Sequence, residues 1–138
     1  MDPIEVIVDL LNDNWESDNT DKITPNVAAG HDVKRMDARG DRPSIKCYQS
    51  APHTTVPMGL GTAAEATVDQ VAIDMVTFKN REHAIKLHTE VKRILDENIK
   101  APNDDYQMLM PIRLVDLTRK QMFHFVWDVQ LKNIAKDR

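Results

Sequence analysis

The side chains able to do chemistry in this chain of 138 residues are five histidines, one cysteine and 22 acids, 16 of them aspartate. His83 and His88 stand five apart on a predicted helix, so they do not share a face as residues four apart would, and no metal clamp is expected there. The spacing puts His83 in a solvated first turn, His88 beside an apolar stripe and His124 on the less buried face of a strand, with His31 and His53 in loops. Cys47 has no second cysteine to pair with and falls mid-strand, where a small buried hydrophobe is the usual state. No serine occupies a Gly-x-Ser-x-Gly elbow. Gly59-Leu60-Gly61-Thr62-Ala63 lacks both the lysine of a P-loop and the third glycine of a dinucleotide fingerprint. Most aspartates fall at caps and turns, where they bond the local backbone. Asp74, Asp116 and Asp128 lie in predicted strands, and a carboxylate site there requires all three to face one way, which periodicity does not establish. Arg39-Gly40-Asp41 reads as a tight turn on Gly40, and the basic neighbourhood of Lys34, Arg35, Arg39, Arg42 and Lys46 is interleaved with Asp32, Asp37 and Asp41, as in a solvated loop. The expectation is no catalytic residue, no cofactor and no metal.

The elements that must position these groups can be read in order. Asp2-Pro3-Ile4-Glu5 supplies a capping acid, a proline at the first helical position and a glutamate three residues after the cap. Ile4, Ile7, Val8, Leu11 and Trp15 then repeat at helical spacing, and the helix should end near Trp15 or Glu16. Residues 17–42 read as a long polar connection with a short strand near Ile23 or Val33. A short strand is expected over 44–49. A breaker-rich loop follows over 50–63, holding Pro52, Pro57, Gly59 and Gly61 but also Val56, Met58 and Leu60.

Over 66–78, Val71, Ile73, Met75 and Thr77 share one face, while Ala72, Asp74, Val76 and Phe78 share the other, which Asp74 marks as partly buried. Asn80 caps a second helix with Ala84, Leu87, Val91, Ile94 and Leu95 inward and Lys86, Glu90, Lys92, Arg93, Asp96 and Glu97 in water. Pro102 and Asn103-Asp104 stop it. Strands over 106–117 and 121–132 are joined as a hairpin, the second alternating Phe123, Phe125, Trp127, Val129 and Leu131 with more polar residues. The fold class expected is α+β, a two-layer sandwich with a mostly antiparallel sheet and two helices on one face, formed by a single domain over 1–138.

A net charge of −4 and a pI near 5.7 argue against binding nucleic acid through phosphates. No apolar run approaches 18 residues and the first residues lack a secretory pattern, so a soluble protein of the cytoplasm is expected. Charge is unevenly placed. Residues 1–21 hold seven acids and no Lys or Arg, whereas 119–138 hold five basic residues against two acids. Such opposed patches suit head-to-tail self-association, or else neutralise each other within one molecule.

This order resembles that of the tail terminator or tail-completion proteins of tailed viruses, of the phage lambda tail terminator type. The resemblance runs over residues 3–132: an amphipathic N-terminal helix, a strand after Pro43, a Gly/Pro loop, a strand from Val71 to Phe78, a helix, and a closing strand of alternating aromatics. It implies a ring-forming subunit, commonly a hexamer, that caps the tail tube and joins it to the neck and connector below the capsid. Its place would be the virion, after assembly in the host cytoplasm, with the tail-tube protein and a neck protein as partners. It implies no membrane and no sequence-specific nucleic acid. Val56, Met58 and Leu60 are the expected assembly or docking residues, being apolar where a solvated loop would be polar. The alternative is a small enzyme or ligand-binding domain with a pocket between helix and sheet and Asp74, His124 or Asp128 at its mouth.

Overall fold

The computed structural model describes residues 2–20, 25–30, 43–57, 65–99, 106–119 and 122–133. Helix α1 (Pro3–Asn14) begins as its sequence dictates: the Asp2 carboxylate accepts from the Ile4 N–H at 2.8 Å, and Pro3 has no N–H to satisfy. Its buried residues are Val6, Ile7, Leu10 and Leu11, while Ile4, Val8 and Trp15 are only partly covered. The buried stripe is therefore turned toward Val6 and Leu10 from the expected one, because α1 packs on helix α2 (Arg81–Glu97) as well as on the sheet.

Among the described residues five strands form one sheet in the order β1-β2-β3-β5-β4. They are β1 (Asn26–Ala29), β2 (Ser44–Pro57), β3 (Glu65–Thr77), β4 (Tyr106–Asp116) and β5 (Phe123–Asn133). All neighbours are antiparallel except β1 and β2, which run parallel. Both helices pack on one face. The architecture is a two-layer α+β sandwich.

The stretch over 17–42 is not wholly irregular: a 3₁₀ turn spans Ser17–Thr20, and β1 contributes Val27 to the core rim. Ile23 and Val33, where a strand was expected, lie outside the described residues, as do His31, Arg39, Gly40 and Asp41. The loop expected over 50–63 is a strand as far as Pro57. Two register shifts, between Gln49 and Ala51 and between Ala51 and Thr54, let β2 carry Pro52 and still pair onward to Pro57 opposite Glu65. Edge strand β4 treats Pro111 in the same way, with a shift between Leu109 and Arg113. Gly59, Met58 and Leu60 lie outside the described residues.

Strand β3 is central and buried on both faces from Val71 to Thr77, so the face bearing Asp74 is covered rather than partly open. In β5 the expected alternation holds, with Phe125, Trp127, Val129 and Leu131 buried in the core and Phe123 packed at its margin. Helix α2 starts at Asn80, whose side chain accepts from the His83 N–H at 2.8 Å, and it ends at Glu97, before the expected stop at Pro102. Asn98 caps it there, its N–H reaching the Leu95 carbonyl. The hairpin joining β4 to β5 closes with Arg119 and Met122 exchanging both backbone bonds.

Candidate functional site

Directly opposed residues in an antiparallel ladder project to the same face, and alternate residues along a strand do likewise. Tyr48 opposes Ala72, Asp74 opposes Val126 and Ala72 opposes Asp128. Tyr48, Asp74, His124 and Asp128 therefore share the sheet face turned away from the helices. Asp116 opposes Phe125 and belongs to the helix side, so Asp74, Asp116 and Asp128 do not form one carboxylate site. The same register overturns a pocket between helix and sheet with Asp74, His124 or Asp128 at its mouth.

Asp74 is 1% exposed and accepts from two strands at once: the Tyr48 hydroxyl at 3.1 Å through Oδ2, and His124 Nε2 through Oδ1. Buried carboxylates persist only when so partnered. Burial foremost, then the Asp74 charge and hydrogen bond and the more distant Asp128 charge, push the Tyr48 phenol up to about 12. An aspartate beside a histidine is the pairing that orients a general base, but His124 is itself buried, not on a half-open face as expected. The group serves to tie β2, β3 and β5 together. Next along this face, Asp128 accepts from Gln70 at 2.7 Å and Ser50 at 3.1 Å. Gln70, Arg113, Asp128 and Gln130 line a recess of about 240 Å³.

Cys47 lies mid-strand and fully buried; burial first, with the Asp74 charge adding, pushes its thiol up to about 12. That thiol stays protonated, and its position suits packing. His88 packs its ring on Phe125 at 4.7 Å between centroids and takes the Trp127 indole N–H on its carbonyl. Burial lowers its pKa below the usual histidine value, with Asp116 opposing and Arg81 reinforcing.

One densely bonded polar group was not expected. Glu90, assigned to water by its charge, is 2% exposed and receives the Glu16 N–H, Asn19 Nδ2 and both Nε and Nη2 of Arg93, at 2.8–2.9 Å. Arg93 also reaches Glu97 and the Asn14 carbonyl at the end of α1. Burial alone would raise the Glu90 carboxyl; the bonds from Arg93, Asn19 and the Glu16 backbone outweigh it and hold the carboxyl below the usual range. Its position carried the signal. Residues 83, 87, 90 and 94 are spaced by four, three and four, so Glu90 lies in the stripe of Leu87 and Ile94. His83 lies there too, and it is buried against Thr77 rather than solvated, Nδ1 to Oγ1 being 2.7 Å. The cluster fastens the end of α1 and the 3₁₀ turn to α2, beside a groove of about 450 Å³ that Ile85 and Thr89 also line.

Of the expected docking residues, Val56 opposes Ala66 near the end of the β2–β3 pairing, and Met58 and Leu60 lie outside the described residues. Elsewhere Phe78, Ile85, Leu114, Val115 and Leu117 are large apolar side chains left exposed. Among the described residues no three His, Cys, Asp or Glu side chains are grouped to hold a metal, and no helix is long and apolar enough to cross a membrane. Comparisons with protein-family models and with curated proteins found no match.

Proposed function

We propose that this protein is a structural subunit of a tailed virus, a tail terminator or tail-completion protein that forms a ring, hexameric as in the family it resembles. The ring caps the tail tube and joins it to the connector at the head–tail neck. It works by contact surfaces and needs no cofactor or catalytic residue.

The observation that carries this reading is the ribbon formed by β2 and β3. Among the described residues β1 accompanies β2 only over residues 44–47, and β5 accompanies β3 only over 68–77. Residues 55–57 and 65–67 thus pair, among the described residues, only with each other. A two-stranded ribbon is marginal alone in water and gains stability against a third surface. In a ring that surface is a neighbouring subunit or the tube below, and Val56, Met58 and Leu60 belong to the segment that would meet it.

Sedimentation velocity and negative-stain microscopy of the full chain, alone and with isolated virus tails, test this. Closed rings that bind tail ends are expected, and replacing Val56, Met58 and Leu60 together with serine should abolish tail binding while the subunit stays folded. A chain that never closes into rings, or a triple variant that joins tails normally, refutes the reading.

The alternative, a small ligand-binding or enzymatic domain, rests on the recess beside Arg113 and Asp128. At about 240 Å³ it falls below the roughly 300–1,000 Å³ usual for small-molecule sites. A thermal shift with a zwitterionic small-molecule panel would favour it.

A further inference from the structure

We infer that two copies of this chain pair through the end of β4, residues 113–117 of each lying antiparallel about a two-fold axis at Val115. The inference goes beyond the ring reading and does not rest on it. A two-fold contact is complete after two copies, so in a cyclic ring it would join subunits of two rings and not neighbours within one.

Backbone direction sets the joint. The Leu117 N–H bonds the His124 carbonyl, so Leu117 turns its backbone groups toward β5, and by alternation Val115 and Arg113 do the same. Leu114 and Asp116 turn theirs away from β5, and among the described residues no strand pairs with them there. Both faces of this stretch are open too. All five residues from Arg113 to Leu117 are exposed, with Leu114 at 38% on the helix side and Val115 and Leu117 at 37% and 45% on the other. An exposed apolar strand edge is a template for a further strand. The stretch is bounded at both ends. Upstream, Pro111 has no N–H and a register shift falls between Leu109 and Arg113; downstream, the Asp116 carboxylate already takes the Thr118 N–H at 2.9 Å.

Hydrogen-bond parity and charge select a second copy and its register. In an antiparallel pair, facing residues either both turn their backbone groups toward the partner or both turn them away. With the axis at Val115, Leu114 faces Asp116 of the second copy and exchanges both backbone bonds with it, so the joint holds four such bonds. Val115 meets Val115 of the second copy at the axis, and the aliphatic stem of Arg113 lies along Leu117 of the second copy. Thr118, next beyond the paired stretch, brings no unsatisfied N–H. An axis at Asp116 would instead set Asp116 against itself and Arg113 against Arg119, both like-charge contacts. An axis at Leu114 would run Asp116 into the segment that the register shift interrupts. About Val115, each Asp116 keeps Arg81 of its own copy at 4.0 Å. A stretch whose donors, acceptors and apolar side chains match their own reverse is complementary to itself, which is what an isologous contact requires.

The test is oxidation of full-length Val115→Cys with diamide, because opposed residues that exchange no backbone bonds have Cα atoms about 4.5 Å apart, within disulfide reach. Ile85→Cys, a similarly exposed site on α2, measures linkage by random collision, and buried Cys47 makes wild type the background control. Pairing holds the two thiols at a high effective concentration, so linked copies should form about tenfold or more faster from Val115→Cys than from Ile85→Cys. Leu114→Pro gives a second readout, since it removes an outward N–H without touching the bonds to β5. This variant should keep its fold by circular dichroism and self-associate about tenfold or more weakly in sedimentation equilibrium. Equal linkage at the two cysteine sites, or a Leu114→Pro variant that pairs as well as wild type, overturns the joint. A wild type that is monomeric at every concentration also overturns it and leaves this edge to a strand of another protein. Rings without Val115→Cys linkage overturn the joint while the ring reading stands; linked pairs that never close into rings keep the joint and refute the ring.

Discussion

Replacing Glu90 by alanine removes one acceptor from four donors at once. The Glu16 N–H, Asn19 and two nitrogens of Arg93 lose their partner in a place where the carboxylate itself was 2% exposed. Breaking a buried ion pair from one side costs about 3–5 kcal/mol. Arg93 is 30% exposed and keeps Glu97 and the Asn14 carbonyl, which brings the expected loss down to about 2–4 kcal/mol. For a domain of this size that is roughly a 10 °C fall in melting temperature. Glu90→Gln keeps the shape and one acceptor oxygen and should lose about 1–2 kcal/mol.

The pH dependence has a definite sign. The folded carboxyl lies below the ordinary glutamate value of about 4.3, so its contribution is complete above that value and disappears as pH falls through the folded pKa. Urea denaturation of wild type and Glu90→Gln at neutral pH and near pH 3 reads this directly. The gap between them should narrow on acidification. Equal stability at neutral pH, or a gap that does not change with pH, would refute the reasoning.

Trp127→Ala should cost about 3–5 kcal/mol in chemical denaturation, since it empties a buried site and loses the indole bond to the His88 carbonyl. Cys47 should react with thiol reagents only after unfolding, because it is fully buried and its thiol is raised to about 12; rapid labelling of the native protein would contradict this. Tyr48 is raised from its usual value of about 10, so wild type should lose stability as pH climbs from about 10 to 12. Tyr48→Phe should lack that loss and be about 1 kcal/mol less stable at neutral pH.

The amino-acid sequence determined what depends on neighbours along the chain. Asp2 with Pro3, and Asn80 before α2, are capping side chains that act within three residues, so both helix starts are legible. The alternation from Phe123 to Leu131 repeats every two residues and identifies both the strand and its inward face. Burial of Cys47 follows from the same local repeat. What lies across the sheet is a different matter. Nothing near β1 in sequence announces that Asn26–Ala29 pairs parallel with residues 44–47, because a parallel pairing joins segments whose connection carries no local signature. Pro52 and Pro111 are breakers by their own chemistry, yet both sit within strands, since register shifts against a partner strand accommodate them.

The candidate sites divide the same way. Periodicity placed Asp74 on the second face of β3, but only the central position of that strand buries it and brings Tyr48 and His124 to it. Glu90 and His83 lay in the apolar stripe of α2 by spacing and were assigned to water by polarity. A charged residue goes inside only where partners meet it, and those of Glu90 are Glu16 and Asn19, more than 70 residues away in the chain, together with Arg93 one turn on. Local spacing states which way a side chain points relative to its neighbours. Only the packed fold states what stands there to receive it.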